Sequence, residues 1–147
     1  MISMNNIQKA LNIAIKAHKG AVDKGGNDYI FHPVTVALFC QSDDEKTVAL
    51  LHDVVEDTSI TLDDLRREGF PEHIVTAVDA VTRRNDEKGQ NGRAVYLKRV
   101  KANPLARKVK LADLQHNSDL TRIPHPAEKD FGRVKEYAKE IEFLKSV

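Results

Sequence analysis

The segment LLHDVVEDT, residues 50–58, places two opposed demands on any fold that contains it. At about 100° per residue, Val48, Leu50, Leu51, Val54 and Val55 fall within one arc of a helix. His52, Asp53, Glu56 and Asp57 fill the complementary arc, beside only the small Ala49. The apolar arc must be buried. The polar arc holds three carboxylates and an imidazole with no cation among them, so its members repel or desolvate one another unless positive charge sits between them. A divalent metal is the simplest such partner.

The rest of the chain supports a helical setting for this segment. Apolar spacing is helical nearly throughout and no stretch alternates with period two, which predicts an all-α fold, a compact multi-helix bundle. Helices are expected from Asn5 to Lys19, from near Pro33, and from the caps Ser42, Asp43 and Asp44 through His52 and Asp53. Thr61 with Asp64 opens a short helix that Gly69 closes, and Pro71 starts another that runs to Thr82. Three more follow at Arg93–Ala102, Pro104–Thr121 and Ala127–Ser146. Asp23–Asp28 reads as a loop, and the polar stretch Arg83–Gly92 as a mobile one.

No repeat or linker divides the 147 residues, so residues 1–147 are expected to form a single domain. The 23 Lys plus Arg nearly balance 22 Asp plus Glu, which gives no electrostatic reason to expect nucleic acid or acidic membranes. Cys40 is the only cysteine and excludes an internal disulfide. Residues 1–21 are amphipathic and basic, unlike a signal peptide, and no run reaches the roughly 18 apolar residues of a membrane span. A cytoplasmic protein is expected; nothing in the composition sets an oligomeric state.

Two further groups pair with His52 and Asp53. His32 lies in YIFHP at a loop-to-helix junction, and Asp113 lies in KLADLQHNSDL on the same stripe as Val109 and Leu120. An acid flanked by core residues is costly to bury unless paired or ligated. Asn117, one turn on, shares that stripe. Each residue alone has an ordinary structural use, but the set H…HDxxED…DxxxN could surround one cation with imidazole and carboxylate groups. That mixture suits Mn, Fe or Zn better than Ca.

These motifs resemble the HD superfamily of metal-dependent phosphohydrolases, and more narrowly the hydrolase domain of Rel/SpoT-type (p)ppGpp enzymes and the stand-alone small alarmone hydrolases. The matching stretches are YIFHPVTVA, ALLHDVVEDT, GFPEHIVTAVDAVT, VKLADLQHN and RVKEYA. The resemblance implies that His32, His52, Asp53 and Asp113 bind a single Mn²⁺, and that Glu56 and Asp57 serve the attacking water. It also implies a small-molecule nucleotide substrate, with Asn117 beside the sugar, Arg133 and Tyr137 facing phosphate and base, and Lys24 approaching from the loop. Two departures stand out. The loop reads DKGGND, with Asp23 where alarmone hydrolases commonly carry an arginine, and DLQHN replaces the frequent DRLHN or DKLYN.

The expected function is therefore metal-dependent nucleotide phosphohydrolysis, with the 3′-pyrophosphate of ppGpp as the leading substrate. The alternatives are a phosphatase for another nucleotide, including a 2′-phosphorylated dinucleotide such as NADPH, or a non-catalytic nucleotide sensor. A helical interaction module would bind no metal. His18, His73, His116 and His125 read as packing or surface residues, with His116, beside Asp113, a minor candidate for the site, and Arg83, Arg84, Arg99 and Arg107 read as solvated.

Overall fold

Side-chain caps set where the helices of this chain begin. In a computed structural model describing residues 5–147, Asn5 accepts from the Gln8 N–H at 2.9 Å while the Gln8 side chain accepts from the Asn5 N–H, and this reciprocal cap opens α1, Asn6–Ala17. Ser42 caps α3, Asp43–Leu51, and Asn103 with Pro104 opens α8, Pro104–Asn117. Between them run α2, Phe31–Phe39; α4, Val54–Asp57; α5, Leu62–Arg67; α6, Glu72–Val81; and α7, Gly89–Ala102, and α9, Glu128–Lys145, follows α8. The fold is all-α: the described residues contain no strand, only an isolated bridge between Val22 and Asp28. No described helix is long and apolar enough to cross a membrane. The first four residues of the amphipathic N-terminal stretch lie outside the described residues.

α3 is the hub. Thr47 through Leu51 are all buried, and α3 packs against α1, α2, α6 and α8. Val48, Leu51 and Val54 are inaccessible to solvent, and removing a side chain such as Leu51 from water contributes about 1.5–3 kcal/mol. α2 also packs on α8, so α2, α3 and α8 meet pairwise along one seam. This seam receives His32 from the first turn of α2, His52 from the end of α3 and Asp113 from the interior of α8.

Several sequence expectations are corrected. The helix through LLHDVVEDT is not continuous: α3 ends at Leu51, His52 and Asp53 form a turn, and α4 resumes at Val54. The break has a local cause. The His52 ring Nδ1 takes the Ala49 carbonyl at 2.5 Å, the His52 N–H reaches that same oxygen at 3.4 Å, and Asp53 adopts φ −105°, ψ −5°. Neighbouring residues on a straight helix cannot face each other. Here the turn brings His52 Nε2 within 3.1 Å of Asp53 Oδ2.

Arg83–Gly92 is not a free loop either. It holds a 3₁₀ turn, Asn85–Glu87, and the start of α7. Glu87 is buried, and its carboxylate takes both terminal nitrogens of Arg99 at 2.5 and 2.8 Å, so Arg99 is not a solvated decoration. Gly92 seats directly on this turn, where a Cβ would fall 2.2 Å from the Glu87 carbonyl carbon. The helix Pro104–Thr121 likewise ends at Asn117, and a separate 3₁₀ turn covers Leu120–Arg122.

The Arg99 hydrogen bonds, acting against burial and helped by the Arg84 N–H, lower the Glu87 pKa from 4.5 to about 2. A carboxylate depressed on folding adds stability that is complete above its unfolded pKa and lost as pH falls toward its folded one. Urea denaturation should therefore show wild-type stability falling between pH ~4.5 and ~2. Glu87→Gln should cost roughly 2–3 kcal/mol at pH 7 and lose that portion of the acid dependence.

Candidate metal centre and adjoining cavity

Four side chains from the α2–α3–α8 seam converge. His32 Nε2 lies 2.8 Å from Asp113 Oδ1, and His52 Nε2 lies 3.2 Å from the same oxygen. Asp53 Oδ2 is 3.1 Å from His52 Nε2 and 3.8 Å from His32 Nε2. Donor atoms of His32, His52 and Asp53 all lie within 4.8 Å of one another, and Asp113 touches both rings. His32, His52 and Asp113 are buried, and Asp53 is nearly so.

The far sides of the rings decide what this arrangement wants. A carbonyl only accepts, so His52 Nδ1 carries the proton it gives to Ala49, leaving the Nε2 lone pair toward the carboxylates. His32 Nδ1 shares a proton with Nδ1 of His116 at 2.8 Å, and the two rings stack at 5.0 Å. Burial, with the Arg122 and His32 charges, pushes His116 down to about 4, which suits it as the neutral acceptor in that pair. Two imidazole lone pairs thus face two carboxylate oxygens, an arrangement that repels unless positive charge enters. In its absence His52 is driven to hold a proton: burial opposes this, but Asp53 and Asp113 raise its pKa well above 6.5. The donor set fits a divalent cation with nitrogen and oxygen ligands.

A surrounding layer orients the carboxylates, and much of it escaped the sequence reading. Lys110 Nζ donates to Asp113 Oδ2 at 2.8 Å, which leaves Oδ1 for the cluster. Against burial, Lys110 and the imidazoles hold Asp113 well below its ordinary pKa. The Tyr29 hydroxyl donates to Asp53 Oδ2. Asn117 Nδ2 donates to Asp113 Oδ1 at 3.2 Å. Lys110 and His116 each stand three residues from Asp113 and Tyr29 three before His32, helical spacings that could have flagged them. His116, expected chiefly as a packing or surface residue and a minor candidate beside Asp113, supports His32. His73 does pair with Asp44 at the surface, and His18 packs on the Tyr29 ring.

A cavity of about 300 Å³ adjoins this cluster and shares His32 with it. Lys24, Asn117, Arg133 and Tyr137, which the sequence scatters over more than a hundred positions, all line it. Burial and then the Arg133 charge lower the Lys24 pKa, against the nearby Asp130. The charged lining is mixed, with Asp23, Asp119 and Asp130 beside the cations. Arg122 also lines the cavity, and no periodicity pointed to it because it lies beyond the end of α8.

Glu56 and Asp57 stand on α4, exposed and outside the cavity wall. Glu56 accepts from the Arg83 N–H at 2.6 Å. Partial burial raises the Glu56 pKa. Partial burial and the charges of Asp53 and Glu56 push Asp57 up to about 6. Both feel the charge of Asp53.

An all-helical domain with a His–Asp site for a divalent cation is the class that fold and cluster together define. Residues 10–129 match the family model described as HD domain, and the chain belongs to that family. Among relatives, it is 42% identical over 85 residues to a guanosine-3′,5′-bis(diphosphate) 3′-pyrophosphohydrolase of Borreliella burgdorferi, a match spanning 55% of this chain and 13% of that one. It is 36% identical over 124 residues to a GTP pyrophosphokinase of Streptomyces coelicolor, spanning 78% of this chain and 14% of that one. The chain thus covers only a small part of the curated relatives it matches. The solved structure of a metazoan ortholog of SpoT that hydrolyzes ppGpp superposes with a TM-score of 0.81, covering 99% of this chain and 89% of that one at 21% identity. That likeness establishes the shared fold.

A cation bound to the folded cluster must stabilise the protein by mass action, by about 2.7 kcal/mol at a hundredfold excess over Kd. Thermal unfolding during titration with divalent cations should show this rise in wild type and none in Asp53→Asn or Asp113→Asn. An undiminished rise in both variants would place the cation elsewhere.

Proposed function

We propose that this chain is a phosphohydrolase that uses one Mn²⁺ to remove the 3′-pyrophosphate of ppGpp. The observation that carries this reading is the sharing of His32 between the His–Asp cluster and a cavity lined by Lys24, Asn117, Arg133 and Tyr137. The reading is supported by relatives named for this activity and by the mixed imidazole–carboxylate donors, which suit Mn²⁺.

His32, His52, Asp53 and Asp113 would hold the ion, which when bound lowers the pKa of water and polarises a phosphoryl oxygen. The chain's own groups do the rest. Lys110 and Tyr29 fix the carboxylate orientations, so the ligands need not reorganise during reaction. Glu56, held by the Arg83 N–H, takes a proton from the attacking water. The water oxygen bonds to phosphorus as the bond from phosphorus to the 3′ oxygen breaks. Asp57, its pKa already raised, helps return the proton to that oxygen, giving a free 3′-hydroxyl and pyrophosphate. Lys24 and Arg133 offset phosphate charge, Tyr137 presents a ring for the base, and the Asn117 amide lies beside the sugar.

A panel of nucleotides with added Mn²⁺ tests this, with GDP release from ppGpp as the expected product. Asp53→Ala should abolish turnover, and Glu56→Gln should lower kcat by about 10²–10⁴ with the ion still bound. Preferred release of phosphate from a 2′-phosphorylated dinucleotide would replace ppGpp as substrate. Tight nucleotide binding without turnover in excess Mn²⁺ would make the protein a sensor instead.

A further inference from the structure

We infer that Arg122 is a positioning residue for the nucleotide cavity, a clasp that ties the 22–28 loop to the end of α8 and orients Asn117; the inference rests on the nucleotide reading of that cavity. One guanidinium makes three connections. Nη1 donates to the His116 carbonyl at 3.1 Å and to Asn117 Oδ1 at 3.2 Å, and Nη2 meets Asp23 Oδ2 at 3.5 Å. The Arg122 and Asp23 side chains are only 20% and 12% exposed, so this pair is largely shielded from water, unlike a surface ion pair.

Each connection fixes a part of the cavity. The Asn117 amide turns its oxygen to Arg122 and its nitrogen to Asp113; the opposite orientation would set NH₂ against a guanidinium and oxygen against a carboxylate. Asp23, held by Arg122, accepts the N–H groups of Gly25 and Asn27 through Oδ1, both at 2.9 Å, and so shapes the backbone around Lys24. Burial opposes ionisation of Asp23, but the Asn27 and Gly25 N–H groups and then Arg122 outweigh it and lower its pKa. The backbone of Arg122 completes the clasp, for a Cβ on Gly25 would fall 2.1 Å from the Arg122 carbonyl oxygen. Polar contacts therefore run from Asp23 through Arg122 and Asn117 to Asp113. The cavity is set before substrate arrives, which lowers the ordering cost of binding.

Loss of the clasp should weaken substrate binding and leave the cluster intact, because Asp113 keeps Lys110 and both imidazoles. The experiment is steady-state hydrolysis of ppGpp with Mn²⁺ by wild type, Arg122→Gln, Arg122→Lys, Asp23→Asn and the Asp23→Asn/Arg122→Gln double variant. Thermal shift with Mn²⁺ and amide exchange at Gly25 and Asn27 accompany it. Arg122→Gln and Asp23→Asn should each raise KM roughly tenfold, with kcat within about threefold and an unchanged Mn²⁺ shift. The double variant should be no worse than the worse single one. A lysine ammonium cannot span all three acceptors, so Arg122→Lys should recover only part of the loss. Unchanged KM in Arg122→Gln, or strictly additive effects in the double variant, overturns the clasp, and so does loss of the Mn²⁺ shift. If wild type hydrolyses no nucleotide, the functional reading fails and exchange decides the clasp alone. Arg122→Gln should then exchange the Gly25 and Asn27 amides roughly tenfold faster, and equal rates refute it.

Discussion

Two buried imidazole lone pairs and two carboxylate oxygens meet at one point, and the molecule is arranged around that meeting. Without positive charge it is among the least favourable groupings a helical core can contain. The chain lessens the strain at the edges, with Lys110 on Asp113 and Tyr29 on Asp53. It leaves the centre to a cation.

The rest of the fold serves this point. The second half of α3, Thr47 to Leu51, is buried so that His52 just after it points inward, and the Ala49 carbonyl both ends the helix and selects the ring nitrogen that faces the cluster. One interaction thus sets the helix terminus, the tautomer and the approach of Asp53. α2 and α8, packed on α3 and on each other, bring in His32 and Asp113 without any loop between site and core. Groups carried on packed helices are held more closely than groups on loops, as ligands of a single ion require.

How much of this was legible depended on the range of the interaction. Local rules placed the helices well: Ser42 and Thr61 signalled true caps, and apolar spacing found the core. The four candidate ligands were legible because an acid or histidine beside core residues demands a partner wherever it lies. Periodicity failed at His52–Asp53, where a side chain competes for a backbone carbonyl and breaks a helix that the spacing alone would continue. It also failed at Arg83–Gly92, whose polar residues read as solvated although Arg99, 12 residues beyond Glu87 in α7, neutralises it. Arg122 was illegible for a plainer reason: its partner Asp23 is 99 residues distant, and no local pattern encodes such a pair.

Everything above turns on one divalent cation at the point where His32, His52, Asp53 and Asp113 converge. Anomalous diffraction from crystals grown with Mn²⁺ tests it most directly. A single strong peak within bonding distance of both Nε2 atoms, an Asp53 oxygen and Asp113 Oδ1 is expected. A peak elsewhere, or none at saturating Mn²⁺, would contradict it.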